Sequence, residues 1–336
     1  MTENLKIIIP MAGFGTRLRP HTWSRPKPLL SAAGDTVLGH VLKLLGSAPD
    51  VKEADFVFIL GYLGDQVQRY MQNEHPEVKA HYVEQKELLG QSHALAQARA
   101  HLHGPTIIIF VDTVIETDFS QLANEEADAV LWVKPVEDPR RFGVAALNED
   151  GLVSGLIEKP DDISNNLAIV GIYYFKSGED LLAAIDEQMQ KGIKTKNEYF
   201  LADAIDIMLK KGLRMRTEVV DEWLDAGLPE TVLETNRRLL DRGRGNSAES
   251  GREGVTLHAP VYIHPEATVE NSTLGPYVSV GRGSQVRNSR IEDAILESHV
   301  IVEDCDLHGS LLGERSQVRG VKGRVNIGDD SQVHGQ

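Results

Sequence analysis

The sequence predicts an α/β protein, with a Rossmann-like mixed sheet followed by a short left-handed parallel β-helix. Three observations carry this. Short apolar runs alternate with helix-patterned stretches through the first 240 residues. The stretch "DRGRGNSAESGREG", residues 241–254, then breaks the pattern with the composition of a linker. Beyond it, apolar residues return every five or six positions, a period that neither a helix nor an alternating strand produces. The implied division is a first domain over 1–240, a linker over 241–254 and a β-helix over 255–336.

In chain order, "LKIIIP", "ADFVFIL", "AHYVEQ" and "PTIIIFV" read as strands, separated by the helical patterns "TVLGHVLKLLGS", "GDQVQRYMQN" and "QSHALAQARAHL". This βαβ order predicts parallel pairing, with ligands bound beyond the carboxyl ends of the strands. From about Ala127 the strands crowd together ("ADAVLWV", "FGVAAL", "VSGLIEKP", "AIVGIYYF"), which predicts an antiparallel insertion covering the sheet opening. Helices return with "GEDLLAAIDEQMQKG" and "FLADAIDIMLKKG". In the tail, the spaced apolar positions are Ile263, Val269, Leu274, Val280, Val286, Ile291, Leu296, Val302, Leu307, Leu312 and Val318. At three sides per coil they predict roughly three to four coils.

The chain has 50 Asp and Glu against 35 Lys and Arg, a formal net charge of -15. That balance argues against a broad face for nucleic acid or for an acidic membrane surface, and leaves small molecules as the expected partners. A single cysteine, Cys305, precludes an intramolecular disulfide and fits a reducing cytoplasm. The N-terminus lacks a signal-peptide layout, and no apolar window reaches membrane-spanning length, so a cytoplasmic, soluble protein is expected.

Against this acidic background, residues 6–34 hold Lys6, Arg17, Arg19, Arg25 and Lys27 and no acid, which suggests a local site for an anion. "IIIPMAGFGTRL" reads as a strand, a glycine turn and a helix start. Gly13 and Gly15 are free to take positive φ, and the N–H groups of such a turn hold phosphate oxygens. Leu18 stands where a dinucleotide fingerprint needs glycine, and the Gly-Lys-Ser/Thr of a Walker A loop is absent. Arg17 can clamp two phosphate oxygens, and Lys27 supplies a compact charge between Pro26 and Pro28, which stiffen the backbone.

Other groups suit the same chemistry. Asp112 follows "TIIIFV" at the expected carboxyl end of a strand, and Asp225 stands in "EWLDAG". One or two carboxylates suffice for Mg²⁺, which prefers oxygen ligands and keeps several waters. In "LIEKP", Glu158 could accept from sugar hydroxyls while Lys159 holds a phosphate. Gln85 offers both a donor and an acceptor, which suits the imide edge of uracil or thymine. His93 reads as a helix-start residue rather than a base.

With these residues in place, "GFGTRLRP" followed by "KP" resembles the signature of the sugar-1-phosphate nucleotidylyltransferases, and most closely that of their glucose-1-phosphate thymidylyltransferase-like members. The similarity runs through about Leu240, and the tail resembles the hexapeptide-repeat β-helix that many members carry. The resemblance implies Mg²⁺-dependent nucleotidyl transfer from dTTP or UTP to a sugar 1-phosphate, glucose 1-phosphate first, with release of pyrophosphate. It implies that Ala12, Gly13, Gly15, Thr16 and Arg17 hold the triphosphate, with Gln85 and Gly90 reading the base and Asp112 and Asp225 holding the metal. Gly143, Glu158, Lys159, Gly171, Tyr199 and Trp223 would bind the sugar phosphate, and Arg17, Lys27 and Lys159 would act in catalysis. Two positions depart from the family's usual pattern: Ala12 and Val111 stand where glycine is common.

Two alternatives belong to other classes. A nucleotide-sugar sensor would be expected to lose the charged set, which is present here. An acyltransferase site in the β-helix would need a distinguished histidine, and none stands out among His258, His264, His299, His308 and His334. The flat faces and open ends of the β-helix predict a homo-oligomer.

Overall fold

The computed structural model describes residues 3–111, 113–247 and 254–335. Two compact units interleave along the chain. One comprises the residues up to Gly13 together with Val41–Trp223, and the other Phe14–His40 together with the chain from Leu224 onward. The expected domains ran in sequence order, whereas the basic segment Phe14–His40 groups with the tail.

In the first unit, nine strands form one mixed sheet. They are β1 (Lys6–Pro10), β2 (Asp55–Leu60), β3 (Ala80–Glu84), β4 (Thr106–Ile109), β5 (Ala129–Pro135), β6 (Gly143–Leu147), β7 (Val153–Glu158), β8 (Leu167–Phe175) and β9 (Met215–Val219). The helical patterns appear as α1 (Val37–Leu45), α2 (Gly64–Glu74), α3 (Gln91–Gln97), α4 (Gly178–Gln190) and α5 (Leu201–Lys210). The sheet order is β7-β6-β8-β4-β1-β2-β3, with β5 on β8 and β9 on β5. As the βαβ pattern requires, β1 pairs parallel with both β2 and β4, and β2 with β3. Ile7, Ile8 and Ile9 are wholly buried, which explains an apolar run where a half-exposed strand would alternate.

The crowded strands after Ala127 are antiparallel, as expected, but they continue the same sheet through the pairing of β8 with β4. The register of β8 shifts between Ile169 and Tyr173, where Gly171 takes φ +86° and bulges the strand.

At the amino ends of the parallel strands, Lys6 and Asp55 are register partners with Nζ and Oδ2 2.8 Å apart. Lys79 and His81 close on Oδ1 of the same carboxylate at 2.5 and 3.1 Å. Burial opposes ionisation of Asp55, but these three donors outweigh it and hold its carboxyl well below the usual range. Lys6 is therefore no part of an anion site.

In the second unit, the β-helix forms with all eleven spaced apolar positions buried in one core. Three stacks of parallel strands build its sides. One aligns Val269, Val286, Val302, Val318 and Val333. A second aligns Ile263, Val280, Leu296, Leu312 and Ile327. The third aligns Leu257, Leu274, Ile291, Leu307 and Gly323. Among the described residues each side thus has five rungs, more than the three to four coils expected, because the end coils carry weakly apolar positions such as Gly323. Asn271, Asn288, Asp304 and Gly320 recur in the left-handed region, residue types that tolerate it at a tight corner. Inside, Ser289 N donates to Ser272 Oγ, Cys305 N to Ser289 Oγ and Val321 N to Cys305 Sγ. The lone cysteine occupies a serine-like rung and is buried.

Residues 248–253 of the expected linker lie outside the described residues. Those before them are not slack. Helix α6 (Pro229–Leu239) runs on into a wider turn, Leu240–Arg244, and Asn246 then pairs with both backbone groups of Ile263 at 2.9 Å. On one side of the β-helix, the outward Ser279, Ile295 and Leu311 are buried. α6 packs here, with Asn236 Oδ1 accepting from Ser279 Oγ at 2.6 Å and from Ala33 N at 2.8 Å. The most apolar outer face is consequently covered within the unit itself. By contrast, the outer face of the valine stack carries an ion-pair ladder through Glu270, Arg287, Glu303 and Arg319.

Candidate active site

The glycine turn lies directly after β1. Gly15 takes φ +61°, whereas Gly13 does not have positive φ, and the space where its Cβ would stand is open. Ala12 is buried, its backbone against Gly61. A short 3₁₀ turn, Thr16–Leu18, buries Leu18 and leaves Thr16 and Arg17 exposed. Thr22 Oγ1 donates to Gly15 O at 2.8 Å, and a Cβ on Gly15 would come 3.4 Å from Lys27 Cβ. Lys27 opens a second 3₁₀ turn, Lys27–Leu29, with Pro26 before it and Pro28 within it. Gly15, Thr16, Arg17 and Lys27 all belong to the second unit, where the Lys27 stem stands beside Gly15.

In the first unit, Gln85 follows β3 and is buried. Its Nε2 lies 3.4 Å from Gly90 O and 3.2 Å from His93 Nδ1, so its donor is engaged and its carboxamide oxygen is the group left to read a ligand. His93 is thereby a partner of Gln85, in keeping with a structural part. A cavity of about 310 Å³ opens at the carboxyl ends of β2 and β3, bounded by Gly61, Tyr82 and Glu84.

Gly90 caps α3 with φ +117°, and a Cβ there would stand 2.6 Å from Tyr199 N and O. The start of α3 is laced to residues 199–201: Tyr199 N donates to Leu89 O and Ser92 N to Tyr199 O, both at 2.9 Å, while Ser92 Oγ donates to Phe200 O at 3.0 Å. Gly90→Ala is expected to lose at least about 1–3 kcal/mol from backbone conformation alone. It should also raise the KM for the nucleotide, and chemical denaturation with initial-rate kinetics would check both.

Tyr199 and Phe200 lead to a second group. Gly143 and Glu158 are register partners at the start of β6 and the end of β7, and a Cβ on Gly143 would lie 2.9 Å from Glu158 Oε2. Lys159, just past the strand, takes φ +51°, a strained conformation for lysine, with its N–H held by Phe142 O at 2.9 Å. Its ammonium lies 3.7 Å from Glu158 Oε1 and 5.0 Å from the Phe200 ring centroid. Burial pushes the Glu158 carboxyl up, and Lys159 opposes that shift. Trp223 meets Phe142 edge to face at 4.7 Å, and its indole N–H is buried with no acceptor among the described residues. A buried donor in that state is suited to a ligand oxygen. The arrangement offers one cation, one carboxylate and one aromatic donor, a set suited to a phosphorylated polyol.

The Gly171 carbonyl accepts from Phe110 N at 2.9 Å, and a Cβ on Gly171 would sit 3.1 Å from Thr113 Oγ1. Asp112 itself, and the side chain of Asp225, lie outside the described residues. Phe142, Phe200 and Asp203 escaped the sequence reading. Asp203 acts on Glu158 through charge and has its own carboxyl pushed up by burial. Their adjacency to Gly143 and Tyr199 was the available signal.

A nucleotidyl transferase family model matches residues 6–242. The chain belongs to the nucleotidyl transferase family. The membership bears out the resemblance seen in "GFGTRLRP". A glucose-1-phosphate thymidylyltransferase of Streptomyces griseus is 29% identical over 328 residues, covering 95% of this chain and 90% of that one. The UTP–glucose-1-phosphate uridylyltransferase AglF of Haloferax volcanii is 27% identical over 244 residues, 70% of this chain and 97% of its own. In fold, the chain is similar to a UDP-glucose pyrophosphorylase solved with UDP-glucose, at a TM-score of 0.61 and 21% identity, over 71% of this chain and 100% of that one. This nucleotidyl transferase therefore carries the family's α/β unit and a β-helix besides. No helix among its described residues is long and apolar enough to cross a membrane.

Proposed function

We propose that the protein joins a sugar 1-phosphate, glucose 1-phosphate first, to the nucleotidyl group of dTTP or UTP and releases pyrophosphate. The observation that carries this is the group of Lys159, Glu158 and the unsatisfied Trp223 N–H, in a chain whose family transfers nucleotidyl groups. A phosphate oxygen of the sugar attacks the α-phosphorus, and the bond from that phosphorus to the oxygen leading to the β-phosphate breaks. The attacking oxygen is already anionic, so no side chain has to remove a proton. Arg17 and Lys27 neutralise phosphate charge, and Lys159 holds the sugar phosphate while Glu158 accepts from its hydroxyls.

Asp112 and Asp225 would hold Mg²⁺, which suits an all-oxygen set and would neutralise charge on the triphosphate when bound. The free oxygen of Gln85 suits the N3–H that thymine and uracil share, which supports a pyrimidine and leaves dTTP ahead of UTP by the likeness to the thymidylyltransferase. The cytoplasm is the proposed compartment. Self-association through the β-helix would use its ion-pair face, since the apolar one is occupied.

A screen of pyrophosphate release, with dTTP, UTP, ATP, CTP and GTP against a panel of sugar 1-phosphates, tests the reading. Activity with none of them would overturn it. Asp112→Ala is expected to lower turnover by at least about 100-fold, and near-normal Mg²⁺-dependent turnover in that variant would remove the aspartate from the metal site.

A further inference from the structure

We propose that Glu297, a buried carboxylate of the β-helix, is a positioning residue for the transfer reaction, clasping both ends of the segment that carries Lys27. The proposal rests on the reading above, in which Lys27 meets the reacting phosphates. Glu297 is 2% exposed. Its Oε2 accepts from Arg25 Nη1 at 2.7 Å and from Ser31 Oγ at 2.7 Å, and its Oε1 accepts from Ser31 N at 2.8 Å. One side chain thus holds residues 25 and 31 together. Arg25 is held a second time by Glu314, one coil further on. The clasp itself is anchored, because Glu297 N donates to Leu312 O at 3.0 Å and Ser284 Oγ donates to Glu297 O at 2.8 Å.

Between the clasped ends Lys27 stands between Pro26 and Pro28, whose rings leave few free torsions. Fixing residues 25 and 31 therefore fixes where the Lys27 stem leaves the backbone. That stem stands against Gly15, so the glycine turn is set with it. Lesser ties run along the same segment, from His21 to Asn326 at 2.5 Å and from Ser24 to Asp329 at 2.7 Å. A buried carboxylate is costly to keep for stability alone, since an apolar replacement of such a pair is often neutral or better. Its distinctive yield is a single geometry, and displacement of a catalytic group by about 1 Å can cost about 100-fold in rate. The β-helix is thus part of the device that orients the triphosphate-binding segment.

The test uses the full chain, with Glu297→Ala, the conservative Glu297→Gln and the milder Ser31→Ala, each assayed well below its own melting temperature. Glu297→Ala is expected to lower kcat by about 100-fold with the KM for sugar 1-phosphate changed less than about twofold. Glu297→Gln keeps the side-chain length and one acceptor oxygen but loses the charge and turns an amide N–H toward one of the donors, so it should recover only part of that loss. Amide hydrogen exchange, read without substrates, should quicken over residues 14–31 in Glu297→Ala and stay unchanged in β1, β2 and β4. A wild-type kcat in Glu297→Ala, or exchange over 14–31 equal to wild type, overturns the proposal while leaving the transfer reaction standing. Should Glu297→Ala fail to fold, a wild-type kcat in both Glu297→Gln and Ser31→Ala overturns it. With a wild type inactive on every substrate pair, the transfer reading fails instead, and unaltered exchange over 14–31 would then remove the clasp as well.

Discussion

Lys159→Ala is expected to lower kcat/KM for the sugar 1-phosphate by about 100- to 1,000-fold, the loss typical of removing one preorganised donor from developing charge. The backbone at Lys159 is held in the left-handed region, at φ +51°, by the bond from its N–H to Phe142 O. Folding energy is thereby spent on where this ammonium stands. Lys159→Arg should rescue little, since a broad planar guanidinium cannot take the place of a compact charge between Glu158 and the Phe200 ring. Removing the ammonium also acts on Glu158. Burial already pushes the Glu158 carboxyl up and Lys159 restrains it, so its value rises further in the variant. Protonation removes the Glu158 charge and turns one of its acceptor oxygens into a donor, and the acid limb of the residual activity should therefore move to higher pH than in wild type. Initial rates at varied sugar 1-phosphate, followed from neutral pH into acid, would check both. Unchanged kcat/KM would remove Lys159 from the site.

Asp55→Asn is expected to destabilise the protein by about 3–5 kcal/mol at neutral pH, because it leaves the buried Lys6 ammonium without its counter-charge. The pH dependence follows from the depressed carboxyl of Asp55. The unfolded chain takes up its proton near the ordinary value of about 3.9, well before the folded one does. The stabilisation is therefore full above that value and is lost as pH falls from it through the folded value. Urea unfolding of wild type and variant should accordingly show a wide gap at neutral pH and a narrower one in acid. The cluster lies at the amino ends of the strands, opposite the ends where Gln85 and Glu158 sit, so the activity of the folded variant at low temperature should be little altered. A gap that stayed constant into acid would show that the ion pair contributes nothing.

The local patterns proved legible because burial wrote them directly. Ile7–Ile9 are apolar since both faces of their strand are covered, and the tail's period matches the three stacked sides of its coils. What could not be read depends on partners remote in sequence. Lys6 and Arg25 look alike in a basic run, yet each is neutralised by a carboxylate 49 and 272 positions away, Asp55 and Glu297 respectively. The basic segment therefore offers fewer cations to an anion than its composition suggests. In the same way, Gln85 looked free to offer both a donor and an acceptor to the imide edge of a base until α3 returned His93 and the Gly90 carbonyl to its amide. Gly13 and Gly15 read alike, but only Gly15 needs its glycine for a left-handed turn. Site residues such as Phe142 and Phe200 carry no signature of their own, because an aromatic beside a polar pocket has the same composition as one in a core.

The serine-like rung of the β-helix gives the chain an intrinsic reporter. Its only thiol, Cys305, is buried in the middle of the coil stack, and that environment pushes the thiol up, away from the reactive thiolate. A disulfide reagent such as 5,5′-dithiobis-(2-nitrobenzoate) can therefore label the native protein only as fast as the coils open. The colour released per minute becomes a clock for breathing of this tail. Every other position is free of competing sulfhydryls, so a cysteine placed on the surface can be tagged alone.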